Sequence, residues 1–266
     1  EVRFANFDAA NMTMKKILRG KHSPSFDISA HKGNHPLLSK VELEQMPDPI
    51  HGNSIASRIY RTVPKTLSGW DLFEGDGSTQ KPKPGVLPYT VNTPLFSDYA
   101  SKYRFIRLPS DSPMEYMEDA VLEFPDGSVI VKTFSYPNDM RNSSKGERLI
   151  ETRIEFRDQD DWYGFSYKWN EDQTEADLVL GGASVTTSWI DNTGKHVEHQ
   201  YEIPNANQCI TCHAQDGDYE PLGPTARNLN LAYDHGKGEV NQLEDWVSQG
   251  LLAHAPAHHS IPALPV

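Results

Sequence analysis

Between about Val86 and Ile203, apolar and polar residues alternate with a period of two, the pattern of strands that bury one face. In "RLIETRIEFRD", Ile150, Thr152, Ile154 and Phe156 share one face, while Glu151, Arg153, Glu155 and Arg157 share the other, which predicts a strand with one wet side. "DWYGFSYKWN" repeats the pattern with Tyr163, Phe165, Tyr167 and Trp169, and the polar "DQDD" between the two runs supplies a turn, so the pair predicts a hairpin. Two further hairpins are predicted: "AVLEFPDGSVIVKTFSY", turning at Pro125-Asp126-Gly127, and "SVTTSWIDNTGKHVEHQYEI", turning at Asp191 to Gly194. Together they predict a mainly β fold with an antiparallel β-sandwich-like domain over residues 86–203.

The flanks read differently. Residues 1–85 are predicted to be an irregular N-terminal wrapping segment with at most one or two short helices; "NMTMKKILRGK" supports a turn or two, but "HSPSFDISAHKGNHP" and "MPDPIHGNS" are rich in Pro, Gly, Ser and His. "STQKPKPG" at its end reads as a stiff linker, because successive prolines favour extended backbone and remove amide donors. After Ile203, Pro204 stops the strand and residues 204–266 are predicted to form a small helical region. Asn205 with Gln208 makes a capping box for a short helix. In "NQLEDWVSQGLL", Leu243, Trp246, Val247, Leu251 and Leu252 form one apolar stripe, with Asn241 and Glu244 as a second box.

Composition narrows the class. The chain has 266 residues, 37% of them apolar, with eleven Tyr, ten Phe and five Trp, enough for a folded core. Its 37 Asp and Glu against 25 Lys and Arg give a formal charge of -12, which repels phosphate backbones and anionic lipid and so argues against a nucleic-acid partner. No apolar run approaches the ~18 residues of a spanning helix, so no integral membrane segment is predicted; a first residue of Glu1 rather than Met suggests a processed or trimmed chain.

The two cysteines of the chain, Cys209 and Cys212, both fall in "NQCITCH". Cys-x-x-Cys-His is the attachment signature of haem c: the two thiols form thioethers with the vinyl groups, and His213 becomes the proximal ligand of the iron. One covalent haem is therefore predicted. A structural zinc site is the first alternative, but it normally takes four ligands and no second ligand pair of zinc-finger spacing is present. A redox disulfide is the second, but it expects a thioredoxin-like βαβ context and the preceding chain reads as antiparallel.

"GVLPYTVNTPLFSDYASKYRFIRLP", "VIVKTFSYP", "RLIETRIEF", "YKWNEDQTEADLVL", "IPNANQCITCHAQDG", "PLGPTARNLN" and "NQLEDWVSQGLL" resemble a family of exported bacterial diheme c-type cytochromes, from about Gly85 to the end. The resemblance implies a second haem-binding segment after a stretch like "IPALPV", whereas this chain carries one motif. It also implies haem attachment outside the cytoplasmic membrane, hence a periplasmic or extracellular location after removal of a signal peptide, and other redox proteins or cytochromes as partners. The absence of further cysteines suits an oxidising compartment.

The ligand opposite His213 decides what the iron does. All six methionines, Met12, Met14, Met46, Met114, Met117 and Met140, lie upstream of the motif; Met140 in "SYPNDM" is the distal candidate, with core packing as the alternative use of a thioether. His235, in a glycine-bearing loop, is the distal alternative, and His254, His258 and His259 follow the C-terminal helix. Arg227 in "GPTARNLN" is a candidate partner for a haem propionate, since its planar guanidinium suits a carboxylate. The three-residue spacing of His196 and His199 places them on opposite strand faces, and "DQDD" and "NEDQTEAD" lack EF-hand spacing. A filled coordination sphere predicts a carrier of single electrons. An open distal site would predict a peroxidase-like haem enzyme, and a third reading is a β-sandwich binding module whose haem tethers it to further haem subunits in a larger cytochrome assembly.

Overall fold

The computed structural model describes residues 55–205, 208, 213–215, 218–234, 236 and 238–265. The protein is mainly β. A six-stranded antiparallel sheet runs in the order β1 (Val86–Pro88), β2 (Ser101–Arg107), β4 (Val129–Pro137), β5 (Glu147–Asp158), β6 (Asp161–Trp169) and β7 (Ala176–Leu178), and it does not close into a barrel. Runs such as Val129-Ile130-Val131 favour this backbone because branched and aromatic side chains pack well on a pleated surface.

One face of the sheet carries Phe105, Val131, Thr133, Thr152, Ile154, Phe165, Tyr167 and Trp169, all buried. Trp70 and Phe73 cover it, with ring centroids 5.7 Å from Phe156 and 5.0 Å from Phe105 respectively. Three side-chain donors on this face are paired: Trp70 Nε1 donates to Tyr167 Oη at 2.7 Å, which donates to the Pro64 carbonyl at 2.8 Å, and Trp169 Nε1 donates to Thr152 Oγ1 at 3.0 Å. Each fully buried Val or Ile here contributes about 1.5–3 kcal/mol.

The opposite face is covered at one end by a second hairpin, β8 (Ala183–Ile190) paired with β9 (His196–Ile203). Phe134, Tyr136 and Ile150 of the sheet pack against Val185, Trp189, Tyr201 and Ile203 of the hairpin. Ile150 reaches this cluster through a bulge: Phe134 faces Glu151 and Ser135 faces Leu149, which leaves Ile150 the extra residue and turns it away from the face predicted by strict alternation. The face predicted to be wet is also corrected. Glu151 is 0% exposed and Glu155 7%, because the sheet is covered on that side as well.

Two of the three predicted hairpins form, β5–β6 and β8–β9. At Asp191 to Gly194 the Asp191 carboxylate accepts from the Thr193 and Lys195 amides at 2.8 and 3.0 Å, and Gly194 adopts φ 87°. The hairpin predicted at Pro125-Asp126-Gly127 does not form. The turn is present, with Ser128 N donating to Pro125 O at 3.1 Å, but both edges of β4 are already taken by β2 and β5. The incoming segment instead bridges Glu123 to Glu115 and Val121 to Thr225. The segment read as a stiff linker packs back on the chain: Phe73 bridges Pro82, Lys83 N donates to Leu72 O at 2.9 Å, and Gln80 is buried.

In the C-terminal part, short helices alternate with short strands. They are α2 (Ala226–Leu229), β12 (Ala232–Asp234), β13 (Glu239–Asn241), α3 (Gln242–Ser248) and β14 (Leu252–Ala253), the last in parallel with β3 (Met114–Glu115). Asn241 caps α3 by accepting from the Leu243 and Glu244 amides at 3.1 and 3.3 Å. Leu243, Trp246 and Leu252 are buried as the stripe predicts, whereas Val247 is 43% exposed. Trp246 packs edge-on to Tyr89, with centroids 6.4 Å apart. All of these elements belong to the unit Pro64–Cys209 with Glu220–Val266. A second unit, Glu1–Val63 with Ile210–Tyr219, contains α1 (Ile55–Thr62) and the two-residue strands β10 (Ala214–Gln215) and β11 (Asp218–Tyr219).

Candidate functional site

The approach to the Cys-x-x-Cys-His motif is built by Asn205 and Gln208. Asn205 Oδ1 accepts from the Gln208 amide at 2.8 Å, and Gln208 Oε1 accepts from the Asn205 amide at 2.8 Å. This reciprocal pair gives the amides of both residues a partner, with the geometry of a capping box. Cys209 and Cys212 themselves lie outside the described residues, as does His235.

His213 is 7% exposed, and its imidazole lies parallel to the Tyr219 ring, 10° between planes and 4.8 Å between centroids. The reason is local. β10 and β11 pair antiparallel, with Ala214 opposite Tyr219, and this returns Tyr219 to the side of the residue before Ala214. Tyr219 escaped the sequence reading, although Asp216-Gly217 in "HAQDGDY" is a strong short-range hairpin signal that could have found it. The donor set suits haem c: two thiols for thioethers, followed by a buried imidazole whose ring plane is held by a stacked aromatic.

The remaining candidates have these places. Met140 is half-buried against the Phe134–Tyr136–Trp189–Tyr201 cluster, and its amide donates to the Ile190 carbonyl at 2.8 Å. Its neighbour Asp139 is buried and accepts from Arg141 Nε and Nη2 at 2.9 Å and from Lys145 Nζ at 2.8 Å. Those hydrogen bonds from Arg141, then Lys145, hold the Asp139 carboxyl well below the usual carboxylate range. Arg227 lies in α2, exposed, and lines a cavity of about 280 Å³ with Tyr116, Glu118, Asp119, Ser260 and two prolines. The two carboxylates lining the same cavity offset its attraction for a further carboxylate.

Among the described residues, His254, His258 and His199 contact protein groups. His254 Nδ1 lies 2.6 Å from Glu115, whose hydrogen bond and charge raise the His254 pKa, and His258 Nδ1 lies 3.2 Å from Glu244. His199 points inward to the Tyr136 and Trp189 rings while His196 is exposed, the opposite-face arrangement that their spacing predicts. Among the described residues no three His, Cys, Asp or Glu side chains gather as a metal site, and no helix is long and apolar enough to cross a membrane. Comparison of the chain with protein-family models, with curated proteins and with solved structures finds no match.

Proposed function

We propose that the protein is an exported monohaem c-type cytochrome that carries single electrons between redox partners. Cys209 and Cys212 would hold the haem by thioether bonds and His213 would ligate its iron. When bound, the haem supplies a one-electron Fe(III)/Fe(II) couple. The chain's own residues hold and orient it: the Asn205–Gln208 box starts the segment that carries the thiols, and Tyr219 fixes the plane of the His213 ring. In this reading residues 86–203 are a β-sandwich-like scaffold and residues 204–266 are the haem-binding region. Met140 and His235 are the candidates for a further iron ligand, Arg227 is a candidate for a propionate, and the partners would be other redox proteins or further haem subunits in the periplasm or outside the cell.

The observation that carries the proposal is the use of both cysteines in one Cys-x-x-Cys-His run, preceded by the reciprocal Asn205–Gln208 hydrogen bonds. The test is export of the chain in a bacterium with active c-haem maturation, followed by intact mass and a pyridine haemochrome spectrum. The expected result is a red protein heavier than its polypeptide by one haem, with Cys209→Ala and Cys212→Ala together abolishing the covalent adduct. A colourless protein of polypeptide mass under those conditions overturns the proposal.

A further inference from the structure

Four redox-active rings stand in line in the larger unit. Tyr99 is 67% exposed, and its centroid lies 6.4 Å from that of Trp189. Trp189 stacks on Tyr136 at 4.7 Å and 21°, and Tyr136 meets Tyr201 edge-on at 6.1 Å. These last three residues are 5%, 1% and 3% exposed, so the line runs from solvent into the space between the β8–β9 hairpin and the main sheet. At its inner end the Tyr201 hydroxyl donates to Glu151 Oε2 at 2.8 Å. Glu151 is 0% exposed and also accepts from Arg153 Nε at 2.7 Å and Nη2 at 3.0 Å.

Two features set this line apart from ordinary aromatic packing. First, Asp98 and Tyr99 both adopt left-handed backbone, φ 46° and 66°, a conformation disfavoured for a bulky L residue. The Tyr136 hydroxyl donates to the Asp98 carbonyl at 2.8 Å and ties that turn down, which keeps the exposed Tyr99 ring on Trp189. Second, the two inner tyrosines bring hydroxyls into a core that phenylalanine would fill without desolvating a polar group. Their acceptors differ in kind: Tyr136 donates to a backbone carbonyl and Tyr201 to a side-chain carboxylate. Burial, then the Glu151 charge, raises the Tyr201 pKa far above its ordinary value.

We propose that Tyr99, Trp189, Tyr136 and Tyr201 form a relay for single oxidising equivalents, which enter at Tyr99 from an outer-sphere one-electron oxidant and come to rest on the Tyr201–Glu151 pair. The oxidant is of the class of oxidised metal complexes or organic peroxyl radicals and takes one electron from the Tyr99 ring. The vacancy is refilled from Trp189, then Tyr136, then Tyr201. At Tyr201 the phenolic O–H bond breaks and its proton forms an O–H bond with the Glu151 carboxylate. The balance is one electron gained by the oxidant, one neutral tyrosyl radical at Tyr201 and one neutral carboxylic acid at Glu151. The same path run outward lets a reductant at the surface restore the pair. None of these five residues is itself a candidate haem ligand, but Met140, which is one, packs against the same cluster, so the radical is read in the chain both with and without attached haem to keep the two proposals distinguishable.

The test uses the full chain with a photogenerated trivalent ruthenium polypyridyl complex as oxidant, read by rapid-freeze EPR of the narrow organic-radical signal and by transient tyrosyl absorbance. The wild type is expected to give a long-lived tyrosyl radical that external quenchers reach slowly. Tyr201→Phe, which keeps the ring and removes the hydroxyl, is expected to lose that long-lived signal and leave only a short-lived surface radical. Tyr99→Phe and Trp189→Phe are expected to lower its yield while Tyr103→Phe, another partly exposed tyrosine, does not. If Trp189→Phe fails to fold, Tyr136→Phe tests the same link. A long-lived radical that survives Tyr201→Phe, or a yield indifferent to both Tyr99→Phe and the Trp189 or Tyr136 variant, overturns the proposal.

Discussion

Replacement of Glu151 by alanine tests how the second layer is held to the sheet. The side chain is 0% exposed and accepts three hydrogen bonds, two from Arg153 and one from Tyr201 on the covering hairpin. Alanine removes the only negative charge in that triad, leaves the Tyr201 hydroxyl buried without this acceptor and opens a void. Breaking a buried ion pair by deleting one partner costs about 3–5 kcal/mol. The Arg153 side chain is 29% exposed and stacks over the Phe134 ring at 4.6 Å, so it finds water at modest cost and the lower end of that range, about 3 kcal/mol, is expected. Against a typical total of about 5–15 kcal/mol this is a large fraction. Tyr201→Phe removes one charge-assisted hydrogen bond and is expected to cost about 1.5–3 kcal/mol. The double variant is expected to cost less than the sum, because the first change already removes the partner of the second. Urea unfolding followed by tryptophan fluorescence gives the three values at constant slope. A Glu151→Ala loss below about 1 kcal/mol, or strict additivity with Tyr201→Phe, refutes the view that the triad fastens the hairpin.

Asn205→Ala, which removes one half of the reciprocal cap before Cys209, is expected to weaken the segment locally by about 1 kcal/mol; faster amide exchange at Gln208, restored in Asn205→Asp, is the readout. Trp246→Ala is expected to cost about 3–5 kcal/mol because the ring is 0% exposed, while Val247→Ala, one residue on and 43% exposed, changes stability by less than about 0.5 kcal/mol in thermal unfolding. His254 has its pKa raised above 6.5 by the Glu115 hydrogen bond and charge, so the contribution of that pair is complete below pH 6.5 and fades as pH rises through the higher folded-state value. An NMR titration of His254 is expected to fall back towards its ordinary value in Glu115→Gln.

The elements that sequence reasoning predicted well are those whose causes lie within a few residues. The Asn205–Gln208 box spans three positions, the Asp191 turn four, and the β5–β6 hairpin is joined across its own polar turn. The Cys-x-x-Cys-His run is equally local, so the candidate chemistry was legible without a fold. The periodicity of β5 was legible too, but not its consequence. Alternation says that Glu151 and Ile150 point in opposite directions; it does not say that a bulge against β4 redirects Ile150, nor that a hairpin fifty residues on caps Glu151 with Tyr201.

By itself, then, the sequence determined the β character, the turns, the caps, the acidic surface and the thiol–imidazole motif, since each depends on backbone preference or on hydrogen bonds that close over short loops. Only the tertiary structure decided which strands flank β4, that both sheet faces are covered, and that Gln242 reaches back 152 residues to the Thr90 amide at 3.0 Å. It also decided that Tyr99, Trp189, Tyr136 and Tyr201 stand in line. Such partners are selected by burial and by competition for strand edges between distant segments, and a pattern read along the chain contains no measure of that competition.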